Sequence, residues 1–548
     1  MHAVRRLVAV ATLAFGAVPS CFCPTAALAQ ARPTAAPVSA ADLRVRLYGF
    51  ADDSMGGRAS GTEGQVKATA YLAAEAERIG LKPAGDRGTW FQELPLVSRG
   101  FTAGGGLVVG ARRFAFGEDF GATIARDAVA MLPATATVID GGELGDSASY
   151  PKKKLVEGRV VVLRPSRRTV SFSTRSLQVG ERSHFAGAAA VVVAGWDRLT
   201  PAARRPLINP VLNLRANTSQ LPPTFVASRE MADALLRQAG GTVAIDLRFA
   251  ELAAPARNVV AVLPGGDPAL RGEYVVVAAH SDHDPVASRA VDHDSLRAMA
   301  FLRRDLAASM PRGERPSPRQ YAALRVDMDS LRALGPPRLD SIRNGADDDG
   351  SGAVAVLEIA EALAASPMRP RRSVLFIWHA AEELGLWGSD WFTEHPTVDL
   401  DAIVAQLNLD MVGRGGVRDI VDGGPRYLQV IGASRATPRL AELIDRLNDR
   451  LKAPFAFDRS FDADGHRDNM FCRSDQAKYA RFGIPVAFFT TGMHPDYHQV
   501  TDEPQYIDYD KLAAVTSFVR DVAVAIADRD DRLRSRGTRR DPEARCRQ

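Results

Sequence analysis

Cysteine is scarce, at four residues in 548. Removal of the first 29 residues would leave only Cys472 and Cys546, too few to imply a disulfide framework or a thiolate metal site. Long apolar runs are lacking too. The run from Leu7 to about Val18 is shorter than the roughly 20 residues needed to cross a bilayer, and no other stretch reaches that length, so no stable membrane span is expected. Net charge is small, at +4, and much of the excess arginine sits in the last residues. That leaves no basic face for nucleic acid. What the chain has in quantity is apolar residues, 46% of the total, enough for large cores and more than one domain.

Its organisation follows from changes of texture. Arg5 and Arg6, the apolar run and the small-x-small Ala27-Leu28-Ala29 read as a signal peptide over 1–29, which predicts export to the periplasm or the medium. A Pro/Ala-rich linker, 30–41, precedes an N-terminal part of the main domain, 42–100. That part contains Gly57-Arg58 and an amphipathic helix over Gly64–Ile79, stopped by Gly80. From 101 to 253 short β-rich runs are broken by Gly and Pro, and none ends in candidate ligands, which predicts a separate inserted domain. The main domain resumes over 254–530. Within it 284–339 is charged, helical and interrupted by prolines, and is expected as a cap beside the site. The segment 531–548 is a basic tail with the composition of disorder.

The chemistry concentrates around Asn344-Gly345-Ala346-Asp347-Asp348-Asp349-Gly350-Ser351-Gly352, where three carboxylates stand between glycines. Val275 to Ala279 runs into His280-Ser281-Asp282, Val374 to Trp378 leads to Glu382-Glu383, Ile403 to Leu409 ends at Asp410, and Pro485 to Phe489 leads to Tyr497-His498. Each run has the composition of a buried parallel strand, and each delivers His, Asp or Glu just past its C-terminal end. Ligands bind there in open α/β sheets. His280, Asp348, Glu383, Asp410 and His498 supply two imidazoles and three carboxylates, donors suited to zinc or another divalent first-row metal. Two ions can share this set if one carboxylate bridges them.

These motifs, with Ala279-His280-Ser281-Asp282-His283, Ala381-Glu382-Glu383-Leu384-Gly385, Asn408 to Gly413 and Asp496-Tyr497-His498, resemble the M28 family of zinc metallopeptidases. That family includes bacterial secreted aminopeptidases and glutamate carboxypeptidase. The resemblance extends to Leu81-Lys82-Pro83-Ala84-Gly85, and 101–253 is similar to a protease-associated domain. It implies an α/β fold of the zinc-exopeptidase (phosphorylase/hydrolase-like) class, with a mixed, mainly parallel sheet flanked by helices. It also implies two zinc ions per chain and peptide substrates. Asp348 would bridge, followed by a peptide bond that is commonly cis in the family. His280 and Asp410 would complete one site, and Glu383 and His498 the other. Asp282 would accept the second N–H of His280, Glu382 would be the general base, and Tyr497 would meet the oxyanion. His283 and the other histidines carry no assigned role, and Asp475 is divided between a substrate-side role and loop structure. The function expected is an exported exopeptidase, foremost an aminopeptidase. The alternatives are a carboxypeptidase, a single-zinc glutaminyl-cyclase-like transferase and a non-catalytic peptidase-like binding protein. The insertion over 284–339 departs from the family pattern.

Overall fold

The computed structural model describes residues 37–102, 104–123, 132–164, 184–215, 222–311, 314–535 and Cys546. The expected signal peptide, most of the expected linker and most of the C-terminal tail lie outside them.

A nine-stranded mixed sheet carries the site. In chain order its strands are β1 (Lys82–Pro83), β2 (Phe91–Glu93), β3 (Arg257–Leu263), β4 (Tyr274–His280), β5 (Ser373–His379), β6 (Ile403–Leu409), β7 (Tyr427–Ile431), β8 (Ala456–Asp458) and β9 (Val486–Thr490). The spatial order is β1-β3-β5-β4-β6-β9-β7-β8, with β2 also on β3. The central strands β5, β4, β6 and β9 run parallel, while β3 and β7 flank them antiparallel. β5, β6 and β9 are buried at every position, because helices and loops cover both faces; hence their largely apolar sequence.

Helices α1 (Ala40–Phe50), α2 (Glu63–Ile79), α4 (Gly352–Ala365) and α5 (Tyr509–Ala527) cover one face. The helix α4 is apolar around most of its circumference, and Val354, Val356, Leu357 and Ile359 are wholly buried between sheet and helices. Helices of that composition need cover on all sides, and Leu357→Ala would cost about 2–5 kcal/mol. The start of α1 falls within the expected linker. Ser39 caps it by accepting the Asp42 amide at 3.0 Å, and Leu43, Leu47 and Phe50 form its buried stripe; that spacing was readable in the sequence.

The segment from Leu96 to Ala253 is β-rich. Leu96–Phe101 pairs with Val211–Leu214 and Phe249–Ala253 in a three-stranded sheet, beside an eight-stranded sheet with its own core. The second insertion forms helix α3 (His293–Ala308) and two short helices, Pro318–Ala323 and Met328–Leu334. It is closed at its base by pairing of Val291–Asp292 with Leu339–Asp340.

Cys472 and Cys546 form a disulfide. Cysteine scarcity excludes a framework of bridges, but not a single closure between residues 74 apart.

Candidate metal centre

The sheet delivers its polar residues to one edge. His280 ends β4, Glu382 and Glu383 follow β5, Asp410 follows β6, and the loop after β9 carries Tyr497 and His498. The Asp347-Asp348-Asp349 loop completes the ring from the N-terminal end of α4.

Each of the three aspartates has different work. Asp349 accepts the amides of His280 and Gly352, at 3.0 and 2.9 Å. Asp347 accepts the Gly413 amide at 2.7 Å. Both therefore tie loops together. Asp348 faces inward, with Oδ1 3.2 Å from His280 Nε2 and Oδ2 3.0 Å from His498 Nε2. The Asp348–Asp349 peptide bond is cis. Two glycines make the loop possible. A Cβ at Gly352 would lie 2.3 Å from Asp349 Oδ1, and one at Gly345, where φ is +51°, would lie 2.2 Å from the Asp348 carbonyl oxygen. Asp502 accepts the amides of both Asp347 and Asp348 at 3.1 Å.

Three overlapping donor groups result. His280, Asp348 and Asp410 converge in one, with His280 Nε2 3.7 Å from Asp410 Oδ1. His283, Asp348 and Glu383 form a second, and Asp284, Glu383 and His498 a third. His498 Nε2 lies 3.2 Å from Glu383 Oε2 and 3.0 Å from Asp348 Oδ2. Asp348 thus faces both His280 and His498, the placement a bridging carboxylate needs. Asp348 Oδ2 and His498 Nε2 are buried and make no hydrogen bond, and a cation between them satisfies both. The donor set, imidazole with carboxylate, fits zinc and similar divalent ions.

The electrostatics agree with a site built for cations. Burial favours a neutral Asp348, but the facing imidazoles of His280 and His498 outweigh it and hold its carboxyl well below the usual range. Burial likewise opposes charge on His498, yet Asp284, Asp348 and Glu383 raise it strongly. Glu382 behaves oppositely. Burial, followed by repulsion from Glu383, Asp410 and Asp475 against the pull of His280, pushes its carboxyl well up. A proton acceptor beside ligands but not among them is expected to have raised affinity for a proton.

All five expected ligands come together, and four of them, Asp348, Glu383, Asp410 and His498, line a cavity of about 330 Å³ with Glu382 and Tyr497. Met411, Met470, Phe488, Met493 and Leu386 form its apolar wall. Asp282 departs from expectation. His280 Nδ1 is 3.0 Å from the backbone carbonyl of Asp282 and 3.8 Å from its carboxylate. The carboxylate instead accepts the Glu382 amide at 3.1 Å and the Ser60 hydroxyl at 3.2 Å, so it fixes the Glu382 turn. His283, left without a role by sequence, lies inside the site, 2.8 Å from Glu383 Oε1. Asp284 stands 3.4 Å from His498 Nδ1. Their only signal was adjacency to the His280 motif. Asp475 is fully buried, does not line the cavity, and has a carboxyl raised by burial to about 7. None of the cavity's lining residues comes from 284–339.

Residues 258–523 match Peptidase family M28. That segment, just under half of the chain, is similar to the family. Among curated relatives, leupeptin-inactivating enzyme 1 of Streptomyces exfoliatus is 31% identical over 170 residues, covering 30% of this chain and 34% of that protein. Aminopeptidase Y of Saccharomyces cerevisiae is 26% identical over 234 residues, 40% of each chain. The chain thus spans about a third of the length of the curated relatives it matches first. An aminopeptidase structure from Aneurinibacillus sp. strain AM-1 aligns over 90% of this chain and 95% of its own, at 18% identity and a TM-score of 0.47.

Proposed function

We propose that this protein is an exported two-zinc exopeptidase that releases single residues from peptide N-termini. The observation that carries the reading is Asp348, whose two oxygens face His280 and His498 from either side, with Glu382 beside them on the cavity. The names of relatives, aminopeptidase Y and leucine aminopeptidase 2, support it. So does the cavity wall. Its buried end is acidic, with Glu382, Glu383 and Asp410, and suits a free ammonium, while its methionines, Phe488 and Leu386 suit an apolar first side chain. The Cys472–Cys546 bridge supports an oxidising compartment and hence export.

His280 and Asp410 would hold one zinc, Glu383 and His498 the other, and Asp348 both. A zinc pair supplies a water acidified to near-neutral pKa and an electrophile for the scissile carbonyl. The remaining work belongs to this chain. Glu382 accepts a proton from the attacking water at its carboxylate and returns it to the leaving amine. Asp282 keeps the Glu382 turn in place. Arg473 donates to Tyr497 Oη at 3.1 Å, which leaves the tyrosine's own proton free for the developing oxyanion.

The test is a kinetic panel of free, N-blocked and C-blocked dipeptides. An aminopeptidase cleaves the free and C-blocked substrates and spares the N-blocked one. The reverse pattern replaces it with a carboxypeptidase, and cyclisation of an N-terminal glutamine without cleavage replaces it with a transferase.

A further inference from the structure

The segment 284–339 stays outside the cavity and instead grips the loop that carries His498. Asp284, its first residue, places Oδ2 3.4 Å from His498 Nδ1, the ring nitrogen turned away from Asp348 and Glu383. From the first turns of α3, Arg297 reaches Asp496, pairing with its carboxylate at 3.3 Å. Asp496 is fully buried, lies two residues before His498, and also accepts from Arg414 at 3.0 Å and Thr501 at 2.7 Å. The Arg297 guanidinium lies over Tyr506, 3.6 Å from the ring centroid, and His293 stacks on the same ring. Farther along α3, Arg304 donates to the Val417 carbonyl at 2.7 Å.

The loop needs such support. His498 has φ of +56°, a left-handed conformation that a residue with a Cβ keeps only when its surroundings hold it. An imidazole ligand also needs its far nitrogen engaged, because that contact sets the tautomer and ring direction.

We propose that the insertion is a brace for the metal site that contains His498, with Asp284 and Arg297 as its positioning residues. Asp284 accepts the Nδ1 proton and so leaves Nε2 as the lone-pair donor toward Asp348 and Glu383. Arg297 fixes Asp496 and thereby the backbone turn at His498. The inference rests on the two-metal reading.

The experiment titrates cobalt(II) into chelator-treated full-length protein and follows visible absorption. The parent should show two binding events, one of them abolished in His498→Ala. Arg297→Met and Asp284→Ala should weaken that event by about 10–100-fold, the usual effect of losing a contact behind a ligand. The other event and the thermal midpoint of the metal-free protein should stay at the parental values. Arg297→Lys should recover part of the loss. Unchanged affinity at both events in both variants overturns the brace. So does equal weakening of both events with a lowered midpoint, which would mark general loosening of the fold. A parent that takes up fewer than two ions refutes the two-metal reading itself, and that outcome is seen before any variant is compared.

Discussion

The amide of Glu382 donates to the carboxylate of Asp282 at 3.1 Å, so the turn holding the proposed base is pinned to the strand end that presents His280. Ala381, one residue earlier, has φ of +56° and donates its amide to Ser60, whose hydroxyl also reaches Asp282. Glu382 is therefore oriented from behind without any contact that consumes its own carboxylate.

Replacing Glu382 with Gln keeps this geometry and the ligands. Metal content should remain at the parental level while kcat falls by about 10²–10⁴, the worth of a general base. Metal analysis alongside steady-state kinetics decides it: near-normal turnover would move the proton transfer to another group.

Asp348→Ala should behave differently, because it removes the carboxylate that faces both His280 and His498. The purified parent should carry two zinc ions per chain and lose hydrolysis on chelation, with recovery on adding zinc or cobalt. The variant should fail to recover under the same treatment. Full activity with one bound ion in the parent would end the bridging role.

The disulfide gives a prediction independent of activity. Denatured protein lacking its first 29 residues should show no free thiol before reduction and two afterwards, and peptide mapping should recover a linked Cys472–Cys546 pair. Two reactive thiols before reduction would remove the bridge.

Lys511 gives a pH prediction. It is buried, donates to the Gly424 carbonyl at 3.0 Å, and burial lowers its pKa from 10.5 to about 8. Below pH 8 both folded and unfolded chains carry the charge, so the folded state bears the full desolvation cost. Between about 8 and 10.5 the folded chain releases the proton first, the cost is relieved, and this residue's contribution to stability rises with pH. Lys511→Met should therefore stabilise the protein at pH 7, by on the order of 2 kcal/mol, and the difference from the parent should shrink toward pH 10. Denaturant melts of both proteins at several pH values measure it; a constant difference would mean that Lys511 is not the titrating group.

Much of the catalytic architecture was legible in the residues themselves. β4, β5, β6 and β9 are short apolar runs whose burial on both faces follows from their composition, and His280, Glu383 and Asp410 stand within a few residues of a strand end. Ligand chemistry is likewise written in residue type, which is why two imidazoles and three carboxylates indicate a divalent metal from the sequence alone. The tertiary structure decided what depends on the path between such local elements. Whether the partner of His280 Nδ1 is the carbonyl or the carboxylate of Asp282 depends on one turn, and no periodicity encodes it. That Asp284 meets His498, Arg297 meets Asp496 and Cys472 meets Cys546 depends on how loops far apart in sequence close over the sheet edge. Those contacts are set by packing of the whole domain, where the cost of closing a loop varies only slowly with its length, so spacing along the chain does not select among them.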